Sequence, residues 1–192
     1  MLFVRQAGTP GTRSACFPMD DPTDDPIGVH ADPSSLARAA ALARVRSWTG
    51  PALVAPARAA GQTAAAMGLR PSVVRALAEA DHGRWSGLPY AKVAEAEPDA
   101  LASWLADPHA TPHGGESLAA LAARVAAWLD AERRSPTIVI CDVGVIRAAL
   151  GHALGLNPLV TTRFDLAPLS TTELSSTRGG WRVAHVNRKA TL

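Results

Sequence analysis

The chain has 192 residues and a mass of 20.0 kDa, a length that suits one domain over residues 1–192 rather than a multidomain assembly. With 47% hydrophobic and 19% charged residues it can bury enough apolar surface to offset its ordering entropy, which excludes a largely disordered protein. The formal net charge is only +2, and although the pI is 8.8 the basic residues are scattered, so no phosphate-tracking nucleic-acid surface is implied.

No apolar run approaches the roughly 18 residues that would read as a membrane span. The opening Met-Leu-Phe-Val is cut short by Arg5, unlike the apolar core of a secretory signal. The expectation is a cytoplasmic protein with no membrane partner. Seventeen of the 19 basic residues are Arg, but the chain is also crowded with Ala, and coding bias accounts for both more simply than anion recognition does. Cys16 and Cys141 lack metal-ligand spacing and cannot form the disulfide framework of a small secreted domain, so they read as free thiols.

In chain order, residues 2–5 form a short apolar run that breaks into Ala7-Gly8-Thr9-Pro10-Gly11, which predicts a buried strand ending in a loop. Residues 17–33 carry several Pro and Asp with no period and read as a surface connection. Ser34 or Ser35 then caps a helix through Leu36, Ala40, Ala43 and Trp48, stopped at Thr49-Gly50. Residues 52–55 predict a second strand, and the Ala-rich stretch 58–67 a helix stopped by Gly68. Residues 77–90 read as an irregular excursion, followed by helical patterning over 91–105. After Gly115, the residues Leu118, Leu121, Ala122, Val125, Trp128 and Leu129 follow the helical spacing up to the break at Pro136. Residues 137–141 predict a strand buried on both faces, and Asp142-Val143-Gly144 leads into a helix over 145–154. Residues 171–175 and 181–187 predict two strands joined through Arg178-Gly179-Gly180. Strands alternating with helices argue for an α/β fold with a mostly parallel sheet, to which the last pair adds antiparallel edge strands.

Ligands in such sheets bind beyond the carboxyl ends of the strands, so the loops after Arg5, Ala55 and Cys141 are expected to converge on one pocket. Five segments of the sequence resemble landmarks of the histidine phosphatase superfamily, in the family's order and over nearly the whole chain. Val4-Arg5-Gln6-Ala7-Gly8-Thr9 resembles its Arg-His-Gly-Glu-Thr opening. Ala55-Pro56 with Gln62-Thr63-Ala64 resembles its second-strand stretch. Residues 79–87 look like its Glu-x-x-x-Gly-x-Trp-x-Gly loop, Gly115-Glu116-Ser117 like its Gly-Glu-Ser helix start, and residues 141–147 like Ser-His-Gly-Gly-Val-Ile-Arg. The resemblance implies a phosphoglycerate mutase-like, three-layer α/β/α sandwich with a mostly parallel central sheet. It also implies phosphomonoester hydrolysis or phosphoryl transfer through a phosphohistidine, with no metal or other cofactor.

That chemistry needs a nucleophilic His, a second His and two Arg around the phosphoryl group, and an acid for the leaving oxygen. Here the resemblance places the nucleophile at Gln6, whose carboxamide has no basic lone pair for attack on phosphorus. It places the second His at Asp142, so a donor has become an acceptor carrying negative charge. The second-strand Arg falls on Ala59, with Arg58 one position early. Arg5 is kept, Glu79 stands at the acid position, and Thr9 and Arg13 lie in the first loop; with Arg58 and Val143 they complete the residues expected around an anion. A carboxylate beside Arg5 opposes phosphate by about 4 kcal/mol at 4 Å and an effective dielectric near 20. An Arg5–Asp142 ion pair across the strand ends is therefore expected.

Three functions follow as expectations. The first is a catalytically inactive family member that keeps a pocket for binding or scaffolding, with a phosphorylated or anionic small molecule as ligand. The second is a phosphomonoesterase with displaced, metal-independent chemistry, in which Asp142 or Glu79 acts as base. The third is a structural homodimer formed through an Ala-rich helix. Cys141 reads as a buried small hydrophobe, Trp85, Trp104 and Trp128 as packing residues, His82 as a structural residue near the pocket, and Glu79 and Asp81 as carboxylates on a polar loop.

Overall fold

The structure, a computed structural model, describes residues 1–19, 30–45, 50–133 and 137–189. Strands β1 (Leu2–Arg5), β2 (Ala52–Val54), β3 (Ser72–Val73) and β4 (Ile138–Cys141) run parallel in the order β3-β2-β4-β1. Strands β5 (Thr171–Thr177) and β6 (Gly180–Arg188) continue the sheet antiparallel beyond β1. The helices are α1 (Pro10–Arg13), α2 (Pro33–Val45), α3 (Arg58–Ala66), α4 (Tyr90–Ala96), α5 (Pro98–Ala106), α6 (Leu118–Ala131), α7 (Val143–Leu154) and α8 (Pro158–Thr161).

Successive residues of a strand face opposite sides of its sheet. Phe3 and Val4 of β1, and Val139 and Ile140 of β4, are all fully buried, so both faces of the sheet centre are covered. Helices α2 and α3 pack together, α3 against β2 and β4, while α6 packs on α7 and α7 reaches β1 and β6. Phe3 meets Trp128 of α6 edge to face at 6.4 Å between ring centroids. This is the expected three-layer α/β architecture around a mostly parallel sheet. A smaller core of Phe17, Trp85, Val93 and Leu101 lies under the excursion between β3 and α6.

Several boundaries differ from the sequence reading. Pro98 has no N–H to continue a helix, so the helix expected over 91–105 is divided into α4 and α5 at Glu97. Helix α2 begins at Pro33, where the fixed φ suits a first helical position, and Ser35 instead accepts the Gly8 N–H at 3.0 Å. Helix α7 starts two residues early, at Val143, because the Asp142 side chain caps it. Strand β3 is two residues long and leaves no periodic trace in the sequence. Trp48, Thr49, Pro136 and most of the 17–33 connection lie outside the described residues.

The parallel registers set the site. Arg5 stands opposite Cys141 and Val54 opposite Ile140, so β1, β4 and β2 end level with one another. The ladder runs one residue further on each side, with Gln6 N–H donating to the Cys141 carbonyl at 2.8 Å and Ala55 N–H to that of Ile140 at 2.9 Å.

Candidate functional site

The three strand ends open into a cavity of about 410 Å³ lined by Arg5, Gln6, Thr9, Ala59, Asp142 and Val143, among others. Convergence of these loops is what the strand order predicts. At its floor the Asp142 carboxylate gathers three donors. Oδ1 accepts from Val143 N–H at 2.7 Å and from Arg5 Nε at 3.4 Å, and Oδ2 accepts from Gln6 Nε2 at 2.9 Å. Arg5 and Asp142 are about equally sheltered, their side chains 14% and 15% exposed, and the other end of the guanidinium donates to the Leu166 carbonyl. The expected ion pair is present, and Gln6 completes it as a neutral third member.

A carboxylate only accepts, so the Gln6 amide must turn its NH₂ toward Asp142. That leaves Gln6 Oε1 buried with no hydrogen-bond partner among the described residues. The positive end of α7 also faces this floor, and two internal carboxylates occupy it. Asp142 takes the Val143 N–H, while Glu79 Oε2 takes the Gly144 N–H at 2.7 Å. Glu79 is 7% exposed and its Oε1 accepts from Ala80 N–H at 2.9 Å. The solvated carboxylate expected on a polar loop is thus a buried strut between that loop and α7, whereas Asp81 is exposed. The absence of a side chain at Gly144 leaves room for this contact, because a Cβ there would meet the Glu79 carboxylate.

The remaining anion-binding candidates scatter. Thr9 lines the cavity but spends its hydroxyl on capping α1, accepting Thr12 N–H at 3.1 Å. Arg13 pairs with Asp32 and borders a separate surface depression. Arg58 turns to His30, with Nη1 and Nε2 3.0 Å apart, because α3 presents Ala59, 2% exposed, toward the cavity instead. This agrees with the sequence match that set Ala59 at the family's Arg position and Arg58 one residue early. Val143 contributes its backbone, already bonded to Asp142.

Burial pushes the Cys141 thiol well above its ordinary range, and the carboxylates of Glu79 and Asp142 push it further in the same direction. It is an inert core residue. Cys16, read from the sequence only as a free thiol, borders the cavity. Among the described residues lining this cavity there is no histidine. His82 lies behind it, in a second cavity, and contacts His113 at 5.7 Å between ring centroids.

The profile of the histidine phosphatase superfamily (branch 1) matches residues 34–189, and the chain belongs to that family. The match begins beyond the loop that carries Arg5 and Gln6. A bifunctional protein of Mycobacterium tuberculosis (strain ATCC 25618 / H37Rv) is 36% identical over 103 residues, covering 50% of this chain and 28% of that protein. Phosphoserine phosphatase 1 of Hydrogenobacter thermophilus (strain DSM 6534 / IAM 12695 / TK-6) is 36% identical over 80 residues, 40% of this chain and 38% of that one. The chain therefore spans well under half the length of either relative. The structure of a mycobacterial glucosyl-3-phosphoglycerate phosphatase superimposes with a TM-score of 0.78 at 24% identity, over 98% of both chains, a likeness of fold. Among the described residues no helix is long and apolar enough to cross a membrane.

Proposed function

We propose that this chain is a histidine phosphatase family protein without phosphatase activity, in which the cavity serves binding or scaffolding. The observation that carries the reading is the Gln6–Asp142–Arg5 cluster. Where the family resemblance calls for two imidazoles, the protein has a carboxamide and a carboxylate bonded to each other. Neither can form a phosphohistidine, and the nearest guanidinium is already neutralised. At 3.4 Å and an effective dielectric near 20, the Arg5–Asp142 attraction is about 5 kcal/mol before desolvation. A phosphate dianion would have to compete with that attraction and also meet the Asp142 charge. The cavity therefore favours a neutral ligand over the anionic one that the resemblance implies. Two of the first-turn N–H groups of α7, ordinarily ready for an anion, are spent on Asp142 and Glu79.

The test is hydrolysis of a generic aryl phosphate between about pH 4 and pH 8, with and without divalent metal, against a Gln6→Ala control. The expected result is no rate above background in any condition. A rate that Gln6→Ala abolishes would overturn the proposal and place a nucleophile in this cavity.

A further inference from the structure

The second cavity lies behind the strap of Cys16, Phe17 and Pro18, which with Val143 it shares with the first. Its aromatic walls come from segments far apart in sequence: Phe17, His82, Tyr90 at the start of α4, and Trp104 in α5. Leu121 and Ala122 of α6 form part of the opposite wall. We propose that this chamber binds a single neutral aromatic ring.

Size is the first ground. The chamber measures about 170 Å³, close to the roughly 150 Å³ apolar cavity that is known to take benzene. It suits one six-membered ring better than a fused pair.

The walls are the second. Phe17 is the hub of a ring cluster, 5.3 Å from His82, 5.6 Å from Tyr90 and 5.8 Å from Trp104 between centroids. These separations and tilts are the ones aromatic pairs prefer, and a further ring can join on the same terms. The cluster ends at Tyr90, which is 38% exposed, and at the half-buried Trp104, so its outer edge is accessible from solvent.

Charge is the third. The charged groups on the lining, Glu79 and Arg147, have opposite signs, and each is already engaged. Glu79 accepts the Gly144 N–H, and Arg147 donates to the Phe164 carbonyl through Nε at 3.0 Å and Nη2 at 2.8 Å. No net charge invites an ion. The imidazole of His82, itself 6% exposed, adds a further ring to the lining.

The experiment uses phenol as probe, followed by calorimetry and by tryptophan fluorescence, with cyclohexanol and inorganic phosphate as comparisons. Phenol should bind saturably, cyclohexanol more weakly, and millimolar phosphate should not displace it. Ala122→Phe, which fills the chamber, should weaken binding about tenfold or more. Tyr90→Ala, a change at the exposed mouth, should weaken it roughly threefold. If Ala122→Phe does not fold, Tyr90→Ala decides. Absence of saturation in the wild-type protein, unchanged affinity in the folded variants, or displacement by phosphate would overturn the inference. Aryl phosphate hydrolysis is read separately, so turnover would count against the inactive reading while leaving the phenol result to stand or fall by itself.

Discussion

Two cavities share the Cys16–Phe17–Pro18 strap, and they differ in the chemistry of their walls. In the one at the strand ends, Asp142 gathers Arg5, Gln6 and the Val143 N–H, so the charged groups at its floor are already satisfied. Behind the strap the walls are aromatic and aliphatic, and its two charged side chains, Glu79 and Arg147, are engaged with backbone groups away from one another. The first has the position that parallel sheets give to ligand sites, yet position is not chemistry. What a cavity can bind depends on which of its donors and acceptors the protein has not already used.

The contrast can be broken most strongly at Asp142. Asp142→Ala removes the α7 cap and leaves Arg5 and Gln6 facing an empty floor, so stability should fall by about 3 kcal/mol in urea unfolding. A loss under about 1 kcal/mol would show that the cluster does not hold the strand ends together.

The second cavity should announce itself through acid. Burial, and then the neighbouring His113, lower the His82 pKa to about 4, and burial lowers that of His113 as well. The unfolded chain therefore binds these protons first, near pH 6.5, so the stability contribution is full above that pH and is lost as pH falls toward 4. His82 alone accounts for about 3 kcal/mol over that window. His82→Leu should flatten the slope of unfolding free energy against pH there, and an unchanged slope would remove His82 from the account. The depressed carboxylates, such as Glu97 beside Arg84, act only at lower pH.

A smaller effect is expected where the two regions are tied together. Gly144→Ala drives a methyl group into the Glu79 carboxylate and breaks its bond to the Gly144 N–H. The expected cost is about 1–2 kcal/mol, read as a lower thermal midpoint. An unchanged midpoint would mean that Glu79 moves aside freely.

The sequence carried much of the first cavity and little of the second. Arg5, Gln6 and Asp142 follow directly on short apolar strands, and level strand ends bring such residues together whatever their type. The ion pair could therefore be anticipated from charge alone. Whether Arg58 would swing in could not, because the rotation of α3 depends on packing around it. Arg13 and Arg58 found partners in Asp32 and His30, residues that no local spacing links to them. The aromatic chamber is assembled from positions 17, 82, 90 and 104, each of which reads as ordinary packing in its own segment. The Glu79 strut was hidden for a similar reason, since its partner is a backbone N–H 65 residues away.

The most direct measurement is calorimetric titration of inorganic phosphate into the wild-type protein and into Asp142→Asn. The asparagine can still accept the Val143 N–H but no longer neutralises Arg5. Weak or undetectable binding to the wild type, with affinity raised about tenfold or more in the variant, is the result predicted from the Coulomb estimate. Tight phosphate binding to the wild type, or no gain on removing the charge, would contradict the claim that Asp142 has closed the site to anions.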